Sequence, residues 1–584
     1  MPVIVTAGHV DHGKSALVKA LTGQEPDRWS QERARGMSIG LGFVWTRLPS
    51  GTEVSFVDAP GHRRLVATML AGAAPGPAVM FVVAADEGWQ AQSAEHLAAL
   101  DALGTTSGLL VVTKSDRADP GPALAAARHE LAGTSLASVP ACAVSARTGE
   151  GLPALRDALD ALVTHQDSEA DETADVRLWA DRSFTVAGAG TVVTATLASG
   201  TLRLGDRLRC VRTGEVMRVR GLQVCERPVA VARPVRRVAV NLAGARVDVR
   251  RGDALVAEVW RPVAEFDVLW RERPRNPVLT LHIGTAAVPV RVRALGEGAA
   301  RLRAECAVPV RPGDRVLLRD PGGTGPPVGA VVADVVPEEL TRRGAAARRG
   351  AELVALASRG RGETSSALAA DLLRRKRFLR PSDFRAIALP VAGEPVAPSW
   401  FADPVAWTGL AARLPAELDR WRAESPLTPG IPLPVLTARL DLPSPEVTRA
   451  LLRAANLSTQ DDPAIPENLP EKVETALARL TKSLRRNPFR APEAQQLAAA
   501  GLRPRELAAA VRAGRLLQLA PGVVLLPGAD LLAAEVLRAL PAPFTVSQAR
   551  KEWDTTRRTA VPLLELLDRA GVTRRRPDGA RDLV

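Results

Sequence analysis

A run of eight residues near the amino terminus has the types and spacing of a phosphate-binding loop. It fits the pattern G-x-x-x-x-G-K-[ST] between a predicted strand and a predicted helix, and it consists of Gly8, His9, Val10, Asp11, His12, Gly13, Lys14 and Ser15. In such a loop the glycines let backbone N–H groups surround the phosphates, the lysine reaches the β- and γ-phosphates, and the hydroxyl binds magnesium. The sequence therefore predicts a nucleoside triphosphate site, in which we include the next residue, Ala16.

Two residues at the end of the third predicted strand suit the metal and the terminal phosphate. Asp58 ends that strand, and a carboxylate in this position can hold magnesium through water. Gly61 follows, and a glycine at this point can sense the γ-phosphate. We therefore predict that Asp58 and Gly61 belong to the same nucleotide site.

Two further segments add the contacts that a guanine base needs. Thr113, Lys114 and Asp116 end the fifth predicted strand, and the aspartate can accept hydrogen bonds from both guanine N1–H and N2–H₂, which adenine cannot match. Ser145 and Ala146 follow the sixth strand, where backbone N–H groups can contact guanine O6. Because all four segments occur in order at the carboxyl ends of strands, the sequence predicts a GTP site.

The elements that must position these segments are short apolar runs alternating with helical patterns over residues 1–163. Alternating β and α elements predict a mostly parallel sheet with helices on both faces. The candidate strands are Val3–Ala7, Gly42–Arg47, Val54–Asp58, Val79–Ala84, Leu109–Thr113 and Pro140–Val144. We place this first domain at residues 1–172.

The pattern changes twice in the rest of the chain. Short Val-rich strands between Gly-Asp and Pro-Gly turns predict two small β-barrels, at 173–260 and 261–338. The remainder is helical with a weak internal repeat, in which helices lead into short β ribbons. The expected fold is therefore a multidomain protein with an α/β P-loop GTPase domain, two small β-barrels and α+β winged-helix repeats. We expect four winged helices, at 345–400, 401–465, 466–530 and 531–584.

Composition excludes several classes of protein. The chain has 584 residues, of which 46% are hydrophobic and 24% charged, as in soluble multidomain proteins. No apolar run reaches the roughly 18 residues of a membrane helix, and the loop near Met1 leaves no room for a signal peptide, so we expect a cytoplasmic protein. The four scattered cysteines disfavour a disulfide scaffold. The net charge of +13 is consistent with a polyanionic partner, or with an Arg-rich compositional bias.

The nucleotide motifs resemble those of the translational GTPases. GHVDHGKS, the segment RGMSI at 35–39, DAPGH at 58–62 and DEG at 86–88 match the GTP-binding domain of that family. The resemblance implies that Ser38 binds magnesium together with Ser15 and Asp58, and that His62 is the catalytic residue that positions the attacking water. Thr113 stands where the family usually has asparagine.

Within that family, the long extension after the barrels resembles the bacterial selenocysteine-specific elongation factors. RGMSIGLGF at 35–43 and LHIGT at 281–285 match as well. The resemblance implies a ribosome-stimulated GTPase, using GTP and Mg²⁺, that delivers selenocysteinyl-tRNA to the ribosome at recoded UGA codons. It also implies that the winged helices bind an mRNA hairpin, and we expect a monomer with no membrane contact. The alternatives are a general aminoacyl-tRNA or initiator-tRNA carrier and a winged-helix RNA-binding regulator with a GTPase switch.

The resemblance also implies a pocket for the amino acid. Asp181, Arg182 and Arg237 match the positions proposed to form it in the family. A selenol is more acidic than the thiol of cysteine (pKa about 8.5), so a cationic pocket would accept a selenolate and reject neutral cysteine and serine. We expect Arg182 and Arg237 to contact the selenolate and Asp181 to hold an arginine in place. Arg236 remains an alternative to Arg237, and a surface ion pair of Asp181 with Arg182 is the structural alternative.

Two basic clusters near the carboxyl terminus are candidates for RNA contacts. One lies at the start of the candidate recognition helix and the other enters the wing of the last winged helix; they comprise Lys551, Arg557, Arg558, Arg574, Arg575 and Arg576. Such side chains can clamp phosphates and stack on an extruded base of a hairpin loop. The alternative is a solvated face combined with compositional bias.

Overall fold

The computed structural model describes residues 2–26, 42–58, 78–168, 171–186, 190–244, 248–322, 325–358, 361–425, 427, 430–457 and 469–584. These residues divide into two compact units, Met1–Ala392 and Gly393–Val584. Among the described residues, no helix combines the length and hydrophobicity needed to span a bilayer.

The first domain is a six-stranded sheet with the strand order β2-β3-β1-β4-β5-β6. Only the pairing of β2 with β3 is antiparallel within this sheet. The strands are β1 (Val3–Ala7), β2 (Gly42–Arg47), β3 (Glu53–Asp58), β4 (Ala78–Ala84), β5 (Gly108–Thr113) and β6 (Ala141–Ala143). The described helices are α1 (Lys14–Thr22), α2 (Ala91–Ala102), α3 (Pro120–Leu131) and α4 (Leu152–Ser168).

Strand β1 shows why this sheet forms between two layers of helices. Val3 and Val5 belong to one hydrophobic core, whereas Ile4 belongs to the other. A strand buried on both faces needs a continuous apolar run, and this requirement explains why such runs predicted the strands to within two residues.

The second domain is a β-barrel. Its sheet has the order β10-β15-β7-β8-β14-β11-β12, and β10 also pairs with β11, which closes the barrel. The strands of this domain are β7 (Arg177–Val186), β8 (Gly190–Leu197), β9 (Leu202–Arg203), β10 (Arg207–Cys210), β11 (Val216–Val224), β12 (Arg227–Pro228), β13 (Val231–Ala232), β14 (Arg236–Ala243) and β15 (Ala254–Ala257).

A second closed barrel follows, with the order β16-β19-β18-β17-β20-β21. Its strands are β16 (Val263–Trp270), β17 (Val278–Ile283), β18 (Ala286–Ala294), β19 (Ala299–Val308), β20 (Arg315–Arg319) and β21 (Val328–Asp334). The chain then forms α5 (Ala345–Ala357), α6 (Arg361–Lys376), β22 (Phe378–Leu379) and α7 (Pro381–Arg385).

Helix α5 packs directly onto the second barrel. Arg349 on α5 is 3% exposed and donates hydrogen bonds to Asp334 at the end of β21 (2.8 Å) and to Asp371 on α6 (2.9 Å). A Cβ on the next residue, Gly350, would lie 1.9 Å from the carbonyl oxygen of Leu295, between β18 and β19. Only glycine permits this close approach of helix and barrel.

The second unit is mostly helical. It contains β23 (Glu394–Ala397), β24 (Trp400–Ala402), α8 (Pro404–Glu424), α9 (Leu433–Arg439), α10 (Pro445–Ala454), α11 (Glu471–Arg486), α12 (Ala494–Ala499), α13 (Pro504–Arg512), β25 (Leu517–Ala520), β26 (Val523–Leu525), α14 (Ala529–Leu537), α15 (Val546–Glu552), α16 (Arg557–Arg569), β27 (Thr573–Arg575) and β28 (Arg581–Leu583). Three helices followed by a β-hairpin occur twice, from α11 and from α14, which is the order of a winged helix. One hydrophobic core joins the two, with Trp553 buried in it.

Candidate functional sites

The phosphate-binding loop connects β1 to α1 and depends on glycine at two positions. Gly8 has a φ of +126°, and a Cβ there would lie 2.1 Å from the carbonyl oxygen of Val82. Gly13, at the start of α1, has a φ of +79°. Because other residues rarely adopt these angles, the two glycines determine the path of the loop around the phosphate position.

Lys14 is buried inside this loop. Its side-chain nitrogen donates hydrogen bonds to the carbonyl oxygens of Gly8 (3.1 Å) and His9 (2.5 Å). Burial lowers the pKa of Lys14 to about 8, although Asp58 and Asp11 act in the opposite direction. A buried ammonium with this reduced pKa is stabilised by an anion, and a bound phosphate would supply one.

Ser15 and Asp58 meet beside the loop and form the predicted metal position. The Ser15 hydroxyl donates to Asp58 Oδ2 at 2.6 Å, and the Thr6 hydroxyl donates to Asp58 Oδ1 at 2.8 Å. Hydroxyl and carboxylate oxygens are the donors that Mg²⁺ prefers, so these residues fit the ion. The predicted residues Ser38, Gly61 and His62 lie outside the described part of the chain.

The segments predicted to bind guanine lie next to the loop. The Thr113 hydroxyl donates to the carbonyl oxygen of His12 at 2.7 Å. The Ser145 hydroxyl donates to Asp116 Oδ1 at 2.7 Å, and this hydrogen bond lowers the pKa of Asp116. The carboxylate is therefore charged and oriented as an acceptor, while the adjacent Ala146 is half-buried.

Two residues on α2 match the family's GTP-binding domain in sequence, but only the structure shows that they support the loop. His96 Nδ1 accepts the backbone N–H of Gly8 at 3.0 Å, and Gln92 Oε1 accepts that of Val10 at 3.2 Å. Burial lowers the pKa of His96 to about 3, which keeps the imidazole neutral and able to accept. The sequence signal that could have indicated this role is the spacing of four residues, which puts both side chains on one face of the helix.

The residues predicted for the amino-acid pocket come together on the first barrel. Arg237 donates to Asp181 from both terminal nitrogens, with Nη2 3.0 Å from Oδ1, and the Thr194 hydroxyl donates to Oδ1 at 2.5 Å. Cζ of Arg237 lies 3.3 Å from the ring centre of Phe43, and Cζ of Arg182 lies 4.8 Å from the same centre. Phe43, on β2 of the first domain, therefore contacts both arginines, and sequence reasoning did not select it.

Local strand geometry explains which side chains face this pocket. Asp181 is 7% exposed and lies at a register shift of β7, where a β-bulge redirects a side chain. Arg236 and Arg237 are consecutive residues of β14, so their side chains point to opposite faces. Arg237 is therefore the one directed to Asp181, and the burial of Asp181 argues against a surface ion pair.

All six predicted RNA-binding residues are exposed: Lys551, Arg557, Arg558, Arg574, Arg575 and Arg576. Two of them also have partners within the protein. Arg576 forms an ion pair with Asp582 through two hydrogen bonds of 2.6 Å. Arg558 donates to the carbonyl oxygens of Pro492 (3.2 Å) and Gly522 (2.7 Å), and it thereby connects the two last helix–hairpin units.

Together, the sheet, the loop and the guanine segments define a P-loop protein that binds guanine nucleotides. Residues 1–165 match the family described as the elongation factor Tu GTP binding domain, and residues 535–581 match the elongation factor SelB winged helix. The translation initiation factor 2 subunit gamma of Halorubrum lacusprofundi is 35% identical over 301 residues, which cover 43% of this chain and 72% of the relative. The chain belongs to the translational GTPases, the family of elongation factor Tu.

The predicted resemblance to selenocysteine-specific elongation factors is confirmed. That factor from Desulfomicrobium baculatum is 44% identical over 262 residues, which cover 44% of this chain and 41% of the relative. The chain spans about half the length of such relatives. The crystal structure of a bacterial selenocysteine-specific elongation factor aligns over 100% of both chains with a TM-score of 0.77 and 23% identity. This alignment and the two family matches confirm the predicted fold class.

Proposed function

We propose that the protein delivers selenocysteinyl-tRNA to the ribosome at recoded UGA codons and hydrolyses GTP to GDP and phosphate in the process. The observation that carries this proposal is the position of Arg237, held by Asp181 and packed against Phe43 between the first barrel and the GTP-binding domain. The names of the relatives and the winged-helix match support it. The protein would act in the cytoplasm, where translation occurs.

For hydrolysis, we propose that the loop binds and orients the triphosphate. Lys14 contributes the positive charge, and Ser15, Ser38 and Asp58 would hold Mg²⁺, Asp58 through water. When bound, the ion neutralises charge on the β- and γ-phosphate oxygens. Asp116 accepts hydrogen bonds from the guanine base, while His62 orients the attacking water when the ribosome stimulates turnover.

For selection of the amino acid, we propose a distinction by charge. Shape discriminates between side chains that differ by one atom by only a few kcal/mol, whereas a neutral competitor lacks the charge attraction between a selenolate and the two arginines. Arg237 and Arg182 would contact the selenolate, and Asp181 would keep Arg237 oriented. Cysteinyl- and seryl-tRNA are then rejected for the same reason, because both side chains are neutral near pH 7.

For the RNA partner, we propose that the last winged helix binds an mRNA hairpin. Arg557 at the start of α16 and Arg574 and Arg575 on β27 belong to the two elements that such a fold presents to nucleic acid. Their charges would contact phosphates and make binding dependent on salt. The factor would act as a monomer on the ribosome.

The test compares which aminoacyl ester the GTP-bound protein protects from hydrolysis. The wild type should protect selenocysteinyl-tRNA in preference to seryl-tRNA, and Arg237→Ala should reduce that preference by about tenfold or more, as expected for a lost charged contact. Arg236→Ala is the matched control, because its side chain lies on the opposite face of β14 and should leave the preference unchanged. An unchanged preference in Arg237→Ala would contradict charge reading by this residue.

The same assay examines a second candidate function, that of an initiator-tRNA carrier. The 35% identity over 301 aligned residues to a translation initiation factor 2 subunit gamma favours that candidate. Preferential protection of initiator methionyl-tRNA would support it. Protection of no aminoacyl ester would instead favour a winged-helix RNA-binding regulator in which GTP is only a switch.

A further inference from the structure

We propose that Glu87 is a positioning residue for guanine-nucleotide binding, which acts by fixing the ammonium group of Lys114 beside the phosphate-binding loop. Glu87 lies in the turn after β4, and Lys114 lies in the guanine motif after β5. The inference rests on the nucleotide-binding part of the proposed function and is independent of the tRNA and of the messenger RNA.

Two carboxylates of one turn hold Lys114. Its side-chain nitrogen lies 2.6 Å from Glu87 Oε1 and 3.1 Å from Asp86 Oδ1. Partial burial alone would lower the pKa of Lys114, but the hydrogen bonds that its ammonium group donates to Glu87 and Asp86 outweigh this effect and raise the pKa. The side chain therefore stays charged and directed towards the turn.

Glu87 also approaches the phosphate-binding loop. Its Oε2 lies 3.8 Å from Nε2 of His12, whose side chain is fully buried. Thr113, the residue before Lys114, donates its hydroxyl to the carbonyl oxygen of His12. Thr113 is thus bonded directly to the loop, whereas Glu87 brings the ammonium group of Lys114 close to it. Burial lowers the pKa of His12 to about 4, so its imidazole is neutral and forms no ion pair with Glu87.

The backbone around these groups is restrained in two places. Gly88 donates its N–H to the carbonyl oxygen of Ala84 at 2.9 Å, which closes the turn that carries Glu87. Lys114 itself has a φ of +57°, a left-handed conformation that is uncommon for a residue with a side chain. With its ammonium held at Glu87, Lys114 is pre-ordered next to Asp116, and less conformational entropy is lost when the base binds.

The test measures the dissociation rate of a fluorescent GDP analogue from the full chain by stopped flow. Glu87→Gln should raise this rate by roughly 3- to 10-fold, the range for a partly exposed charge-assisted contact. Lys114→Ala should raise it at least as much. The double variant should dissociate no faster than Lys114→Ala alone, because Glu87 acts through Lys114. Glu130→Gln removes an exposed carboxylate from α3 and should leave the rate unchanged.

This double-mutant cycle separates positioning from a merely structural role. The proposal would be overturned if the two substitutions raised the dissociation rate by independent factors that multiply in the double variant. An unchanged dissociation rate in Glu87→Gln would also overturn it. If Glu87→Gln lowers the melting temperature, Glu87→Asp replaces it in the test, because aspartate keeps the charge on a shorter side chain. The effects of Glu87→Asp and Lys114→Ala on the dissociation rate must then be non-additive as well. An unchanged rate in Lys114→Ala would remove Lys114 from the nucleotide site and overturn the proposal at that step.

Discussion

The guanidinium carbon of Arg237 lies 3.3 Å from the centre of the Phe43 ring, although the two residues belong to different domains. Asp181 binds the same guanidinium from the barrel side. Arg237 is therefore held between a carboxylate and an aromatic face, an arrangement that stabilises a cation. Because Phe43 lies on β2, the nucleotide-binding domain contributes one wall of the proposed amino-acid pocket.

This contact predicts that Phe43→Leu narrows the preference for selenocysteinyl-tRNA over seryl-tRNA. Leucine keeps an apolar side chain but lacks the aromatic face, so Arg237 loses an interaction worth about 1 kcal/mol, or roughly fivefold in preference. Ester protection in the presence of GTP measures the change. Trp45→Leu is the control, because Trp45 lies two residues further along β2 and contacts Arg227 instead. Equal loss in both variants would indicate a general weakening of the domain contact.

The depressed pKa of Lys14 predicts proton uptake when nucleotide binds at alkaline pH. At pH 9 the buried lysine, with a pKa of about 8, is mostly neutral without nucleotide, and a bound phosphate stabilises its charged form. Calorimetry at pH 9 in buffers of different ionisation enthalpy should detect uptake approaching about one proton per GDP. The same titration at pH 7 is the control and should show much less uptake, since Lys14 is already charged there.

The same shift has a consequence for stability. Because the pKa of Lys14 is lower in the folded chain than its ordinary value of 10.5, the unfolded chain binds more protons between about pH 8 and pH 10.5. This group therefore makes the nucleotide-free domain more stable as pH rises through that window. Lys14→Met should remove this contribution, which hydrogen exchange of β1 and α1 at several pH values, corrected for the intrinsic exchange rate at each pH, would measure. An identical pH slope in wild type and variant would contradict the assignment.

The buried charges between the second barrel and α5 predict a large effect of Arg349→Met. Removing this arginine leaves Asp334 and Asp371 with fewer counter-charges in a buried position, a change that costs about 3 kcal/mol or more. Hydrogen exchange of α5 and α6 is the appropriate measurement, because a multidomain chain does not unfold in two states. Arg348→Met removes the exposed neighbouring arginine and should leave protection within about 0.5 kcal/mol of wild type.

Alanine substitutions of arginines in the last winged helix should have two different effects, one on RNA binding and one on stability. Arg574→Ala together with Arg575→Ala should weaken binding of a labelled selenocysteine-insertion hairpin and reduce the salt slope by about two, one for each phosphate contact. Arg558→Ala should mainly lower stability, because its side chain bonds to two backbone carbonyl oxygens. Fluorescence anisotropy over a KCl series and thermal unfolding measure the two effects. Unaltered hairpin affinity in the Arg574→Ala, Arg575→Ala variant would show that the RNA-binding site lies elsewhere.

Local patterns in the chain were enough to predict the elements of the first domain and the nucleotide motifs. Strands β1, β3, β4 and β5 of the first domain are apolar runs that are almost fully buried, and the loop from Gly8 to Ser15 depends on glycines and a lysine that lie close together in the chain. Such features are local, so a short stretch of residues contains all of the information needed to predict them. The same holds for the two hairpins at 517–525 and 573–583, which turn at Pro-Gly and Asp-Gly pairs.

Local patterns do not show which side chains become partners across large separations in sequence, because these pairs depend on packing. Phe43 packs against Arg237, and His96 accepts the N–H of Gly8, although neither contact leaves a pattern in the intervening sequence. Asp181 pairs with Arg237 because a bulge and strand alternation direct both side chains to one face. Arg558 looks like a free basic residue in the sequence, yet its position beside Pro492 and Gly522 gives it a structural contact. These choices depend on how strands and helices pack in three dimensions, which composition and spacing do not specify.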